Sequence, residues 1–314
     1  MTHATALVPA ERWTLRFALA FLASLIACAV LLALDPRTLD NGDPVWLKPM
    51  RFSLAFVVHL LTLVWLARLG RGVGERLHPA FAAGLWLQIA AAVVEWVCIA
   101  VQAARGVHSH FNYATFFDHA VFTVMGWGTA VLLGGMLACV WGVARSHAHP
   151  ALKRLLLGAQ ALAVLGALAG VLLVMPTAEQ RVLLDQGQRL VWIGGTTVGV
   201  PSGHSLPFFH WDLGAGDWRA VHFVGLHALQ ALPLLGWLSA RVGHTASVVR
   251  LAMVAAGAYA LFFVGVIIWT MLGNAIANPS APGWWWLAAP GLMFSLSALR
   301  MAAIPGQRVR RHVA

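Results

Sequence analysis

Charge is what this sequence has least of. Asp, Glu, Lys and Arg together make up 10% of its 314 residues, against 60% hydrophobic. A soluble globular chain carries about 25% charge, so too little polar material is present to solvate a surface. Lysine is nearly missing: Lys48 and Lys153 are two among 21 basic residues. With abundant Ala, that bias fits a GC-rich bacterial genome. Cysteine is scarce as well. Cys28, Cys98 and Cys139 form no C-x-x-C pair and each falls in an apolar run. That excludes a disulfide framework or a thiolate metal centre and leaves the three as small apolar filler. An Asp-rich diphosphate motif and paired broken helices are also lacking.

Long apolar runs are what the chain has instead, with a mean hydropathy of +0.76. Lipid is the solvent these imply, since a bilayer core of about 30 Å needs about 20 apolar residues per helix. We expect an all-α fold, a polytopic transmembrane bundle of about eight spans forming a single domain over 1–314. The spans lie near 15–34, 50–69, 80–104, 115–144, 154–175, 219–240, 250–276 and 284–303. The first run, Phe17 to Leu34, is longer than a signal-peptide core of about 7–15 residues and reads as a retained span.

The net charge of +10 would point to nucleic acid in a soluble protein. Here the basic residues stand in short gaps between apolar runs, where they act as topology signals. Membrane lipid, not nucleic acid, is therefore the expected partner. One set of gaps is short and basic: the N-terminus, Arg68 to Arg76, Arg145 to Arg154, Arg241 to Arg250 and the tail from Arg300. It holds 14 Lys/Arg and two acids, Glu11 and Glu75. The other set, Asp35 to Met50, Arg105 to Ala114, Thr177 to Trp218 and Asn278 to Gly283, has seven basics with their flanks, offset by seven acids. Lys/Arg excess marks the cytoplasmic side. Both termini are expected there, in a bacterial cytoplasmic (inner) membrane. Trp46 before the second span and Trp284 to Trp286 opening the last suit an interfacial aromatic belt.

Thr177 to Trp218 far exceeds ordinary helix-to-helix links of about 2–8 residues. Its first half, Ala178 to Ile193, reads as a surface helix that Thr177 caps. Its second half is rich in Gly and Pro and ends in Phe208-Phe209-His210-Trp211, an irregular loop suited to covering the bundle mouth.

Ionisable groups in hydrocarbon are costly and mark function. The third span carries Gln88, Glu95 and Gln102 at seven-residue spacing. Seven steps of about 100° stack them in one stripe, with Glu95 about 15 Å from the outer end. His59 on the second span is expected at that depth, on an arc shared with Arg51. Asp118 and His119 open the fourth span. His222, His227 and Gln230 lie on the sixth, above Pro233. Arg105, His110 and Asn112 add polar groups at the same mouth.

At these residues the chain resembles a family of bacterial multi-span proteins to which no activity is attached. The segments are Arg105-Gly106-x-x-Ser109-His110-Phe111-Asn112 and His222-Phe223-x-Gly225-Leu226-His227-Ala228-Leu229-Gln230-x-Leu232-Pro233-Leu234. Trp46-x-Lys48-Pro49-Met50-x-Phe52 is similar too. The resemblance implies a multi-span fold and no mechanism.

The outer-half polar set has several readings. In a membrane redox protein, His59, His119, His222 and His227 are the candidate ligands of a haem, whose iron accepts axial imidazoles. A transition metal would suit His59, Glu95, His119 and His227, with Glu95 and Asp118 as catalytic carboxylates. In a proton- or ion-coupled transporter, Glu95 is the proton or cation acceptor and the histidines are relays. Further alternatives are a lipid-modifying enzyme, in which Arg51, Arg105 and Arg219 meet phosphate, and a non-catalytic assembly protein.

Overall fold

The computed structural model describes residues 7–71, 76–243, 245–278 and 282–304. Both chain ends, Glu75 and the tail residues Arg308, Arg310 and Arg311, which enter the charge count, lie outside the described residues. Among the described residues the order is α1 (Pro9–Leu34), α2 (Leu47–Gly70), α3 (Pro79–Arg105), α4 (Phe116–Ala144), α5 (Pro150–Val174), α6 (Ala178–Asp185), β1 (Thr197–Val198), β2 (Gly216–Asp217), α7 (Trp218–Val242), α8 (Ala246–Met271) and α9 (Trp284–Ala303). All but α6 of these helices are long and apolar enough to cross a membrane, eight in all. They lie over the expected spans with ends differing by up to six residues, because the boundaries carry ordinary stop and start signals. Pro79 opens α3 at the position where its missing N–H costs nothing. Gly106 closes the same helix with φ +74°, a left-handed turn that a side chain resists. Thr115 and Thr245 cap α4 and α8 through their hydroxyls.

The helices pack as two compact units. The first holds α1 to α4 up to His147, with Val174–Gly195 and so α6; the second holds α5 from Ala148 to Leu173, then Thr196 onward with α7, α8 and α9. Four candidate spans fall to each. In the first unit α3 and α4 approach closely. A Cβ added to Gly84 would sit 2.7 Å from the Gly135 carbonyl oxygen, so the backbones meet where neither residue has a side chain. In the second unit α5 and α7 meet in the same way. A Cβ on Gly225 would lie 2.5 Å from the Cα of Gly166. The core of that unit gathers Val221, Ala228, Leu232, Phe263 and Trp269.

Outward faces stay apolar. Leu19, Ile26 and Val30 on α1 and Leu292, Leu296 and Leu299 on α9 are all more than half exposed. Water would penalise that surface and lipid does not. Cys28 and Cys139 are buried and all three cysteines are free thiols.

The long connection divides between the units. Its helix, α6, has the expected cap: Thr177 accepts from the Gln180 N–H while the Gln180 side chain accepts from the Thr177 N–H. It stops at Asp185, well before Ile193, because Gly187 turns the chain at φ +74°. The remainder is stitched by a two-residue antiparallel ladder, Thr197 with Asp217 and Val198 with Gly216.

Candidate functional site

The loops 35–46 and 106–115 mark one end of the first unit, the end expected to face away from the cytoplasm and termed outer below. Three segments are sewn together there. The Arg37 guanidinium donates to the Ala104 carbonyl at 3.0 Å. His108 meets Asp40 at 2.5 Å. The 106–115 loop is tied to the segment after α6 by Tyr113 N–H to Val191 O, 2.8 Å, and Ile193 N–H to Phe111 O, 3.2 Å. The bonds from Arg37, and then from the Trp46 indole, hold the Asp35 carboxyl well below the usual range. The His108 contact lowers Asp40 likewise.

This stitching sets His110. Its neighbour Phe111 has φ +61°, a left-handed conformation costing about 1–3 kcal/mol in a bulky residue. The Val191–Ile193 bonds hold it, and Asn112 braces the turn by donating to His108 O and accepting from Ala114 N–H. His110 is thereby delivered between α2, α3 and α4. Its Nε2 lies 3.2 Å from Glu95 Oε1, and Ser109 Oγ stands 3.0 Å from its Nδ1. Phe52 and Phe122 pack their rings about it. Burial, helped by the nearby charge of Lys48, holds the His110 imidazole well below its ordinary pKa. A neutral ring that accepts from Ser109 at Nδ1 carries its proton on Nε2, the nitrogen nearest the carboxyl.

Glu95 is 8% exposed. Its second oxygen, Oε2, is buried with no hydrogen-bond partner among the described residues and looks across to Gly128 of α4, where an added Cβ would stand 3.6 Å away. A buried carboxylate needs a donor, a cation or a proton for each oxygen. His110 Nε2 stands beside one oxygen, and the other has no partner among the described residues. Lys48 is a cation within electrostatic reach of Glu95. It was not among the expected site residues, although its being one of two lysines, at the first turn of a span, is a legible signal.

Two further polar stations flank this pair. Nearer the outer end, Asp118 accepts from Gln102 at 2.8 Å, Arg105 at 2.5 Å and Thr115 at 2.5 Å, while Arg105 also donates to Gln102. Three side-chain donors occupy this carboxylate, which suits an anchor between α3 and α4. Deeper, His59 Nε2 meets Gln88 Oε1 at 3.0 Å, and Gln88 donates to the Leu132 carbonyl. Gln88, Glu95 and Gln102 are thus all buried on one face of α3, as the seven-residue stripe implies.

His59 does not share the level of Glu95. Trp96 donates to Ser53 at 2.7 Å, and Gln88 pairs with His59. This antiparallel register sets Glu95 against the level of Ser53, about 9 Å outside His59 at 1.5 Å per residue. Counting from span ends placed them together because it ignored where the two helices pair. His119 is exposed and its ring packs on Tyr113 at 4.8 Å. One residue on from Asp118 is about 100° around the helix, so turning Asp118 toward α3 turns His119 away. Arg51 is half-buried in the first turns of α2.

His222, His227 and Gln230 belong to the second unit. His222 Nδ1 meets Gly166 O at 2.8 Å, across the contact between α5 and α7. His227 Nδ1 meets Gln230 Oε1 at 3.1 Å, with its ring on Phe223 at 4.0 Å. Arg219 grips Asp217 at 2.6 Å. Among the described residues no three His, Cys, Asp or Glu side chains group as metal ligands. Within the first unit His59, Glu95 and His119 are thus not gathered into one donor set.

The chain is a multi-pass helical membrane protein by the length and composition of its helices. No family model, no characterised protein and no solved structure matches it.

Proposed function

We propose that this protein handles protons in the outer half of a bacterial inner membrane, with both termini cytoplasmic, as the proton carrier of an ion- or proton-coupled transporter. Membership of the uncharacterised family named above is part of the same reading. One observation carries it. Glu95 has one oxygen on the His110 imidazole and the other buried without a hydrogen-bond partner. The pair holds one proton between two groups and has room for a second proton, or a cation, on Oε2. Lys48 supplies countercharge, and the apolar walls of α2 to α4 keep the site off the bulk dielectric.

The test is proton entry into proteoliposomes driven by a potassium diffusion potential. The wild type admits protons above the rate of empty vesicles, and Glu95→Gln loses this at least about tenfold, the factor that about 1.4 kcal/mol of barrier represents. Flux that survives Glu95→Gln contradicts the assignment.

A haem-dependent redox function has a narrower footing. His222 and His227 each bond through Nδ1, leaving Nε2 available, the pattern of an imidazole ligand oriented from its far side. Five residues apart on one helix, they point about 140° apart, so each offers an iron one axial position and the two cannot clamp one haem. Visible spectra of haem-replete protein, oxidised and dithionite-reduced, test this: a Soret band lost in His222→Ala or His227→Ala supports it, and a flat spectrum removes it.

A further inference from the structure

The opposite end of the first unit carries a second polar feature. The end of α2, the start of α3 and the end of α4 enclose a cleft of about 220 Å³, and its polar lining is Arg71, Arg76, His78, Arg145, Ser146 and His147. No acidic side chain is among the described residues lining it. Arg71 is 5% exposed at its side chain, fixed by Glu11, whose Oε1 lies 3.1 Å from its Nη2. Glu11 in turn is completely buried and accepts from the Val8 N–H at 2.9 Å. The Glu11 carboxylate is thereby spent on Arg71. Arg76 and Arg145 remain exposed at the rim, with Arg145 laid over the Trp141 ring at 4.6 Å.

His78 caps α3 by accepting the Ala80 N–H on its Nδ1 at 3.2 Å, so a neutral ring carries its proton on Nε2 as a donor. The positive end of the α3 dipole opens at the same place. Two guanidinium groups, an imidazole donor and a buried third guanidinium around a concave space form a receptor for a tetrahedral oxyanion, which Arg binds bidentately. The cleft volume admits one phosphate group.

We infer that this inner cleft binds a phosphate group, carried by an acidic lipid headgroup or by a free phosphate. It is independent of the Glu95–His110 pair, which lies toward the other end of the same helices. On the orientation expected from the charge count, it faces the cytoplasmic leaflet, where phosphate headgroups and soluble phosphates both reach it.

The experiment is thermal unfolding of the full-length protein in a neutral maltoside detergent, titrated with inorganic phosphate or with short-chain phosphatidylglycerol. Potassium chloride at matched ionic strength is the baseline. A saturable rise in melting midpoint with phosphate identifies the free anion; a rise with phosphatidylglycerol alone identifies the lipid headgroup. In either case Arg76→Gln with Arg145→Gln weakens binding about tenfold or more, the loss expected of a charge-assisted hydrogen bond. Both residues are exposed, so the unliganded midpoint of the double variant stays near that of the wild type. The inference is overturned if neither probe shifts the wild type, or if the double variant shifts as the wild type does.

Discussion

His110 in the first unit and the two histidines of α7 in the second do different work. In the first, His110 is pushed into the helices by a strained loop and meets a carboxylate, Glu95, whose other oxygen is open. In the second, His222 and His227 each meet a neutral carbonyl oxygen, of Gly166 and Gln230, from within ordinary helix geometry. Partner and not residue type decides: an imidazole beside a carboxyl can exchange a proton, while an imidazole on an amide carbonyl fixes a tautomer, and in His222 also joins α7 to α5. A histidine-rich half of a membrane bundle is therefore one candidate proton site with structural histidines elsewhere.

Substitutions break or sharpen this contrast. The largest effect is expected in flux. Glu95→Gln abolishes potential-driven proton entry about tenfold or more, whereas His222→Gln and His227→Gln leave it within twofold, read in the same proteoliposomes. If the His227 variant loses flux as Glu95→Gln does, the division between the units fails.

Next in size is packing in the second unit. Gly225→Val drives a side chain into the Gly166 backbone and lowers stability by about 1–3 kcal/mol, the cost of overpacking. It loosens the His222 bond without touching proton flux. A melting midpoint equal to the wild type would show that the α5–α7 approach is not what seats His222.

A third effect is pH dependence. His110 is held well below its ordinary pKa by burial and then by Lys48, with Glu95 and Ser109 the polar groups facing it. The unfolded chain takes up a proton at this residue below about pH 6.5 and the folded chain does not. Stability therefore falls as the pH drops below about 6.5, by at most about 1.4 kcal/mol per pH unit until the folded ring protonates. His110→Asn flattens that part of the melting-versus-pH curve. An unchanged slope would place the acid sensitivity elsewhere.

The smallest effect belongs to the periphery of the same loop. Asp40→Asn removes the contact with His108, but Asp40 is 83% exposed at its side chain, and such pairs contribute less than about 1 kcal/mol. Proton flux and His110 behaviour should both survive it, which separates the loop's rim from its working residue.

The spans were legible because Pro79, Gly106, Thr115 and the apolar run lengths are local signals. So was the stripe of Gln88, Glu95 and Gln102, which needs only helical periodicity on α3. What periodicity does not contain is the register between helices. His59 was matched in depth to Glu95, yet the Ser53–Trp96 and His59–Gln88 pairs set it two turns deeper. His110 looked like one polar group among several at the mouth. Its place beside Glu95 depends on a left-handed Phe111 and on bonds to Val191 and Ile193 about 80 residues away in sequence, which no local pattern encodes. Asp118 read as a catalytic carboxylate, and two of the three donors converging on it, Gln102 and Arg105, come from the packing of α3 against α4, while Thr115 is the local cap of α4.

The central claim is that Glu95 takes up a proton that it shares with His110. Infrared difference spectra of the full-length protein in lipid vesicles, recorded between neutral and acidic pH, test it most directly. A protonated-carboxyl band should grow on acidification, vanish in Glu95→Gln and shift in His110→Asn while His227→Gln leaves it in place. The same band at full intensity in Glu95→Gln would contradict the account.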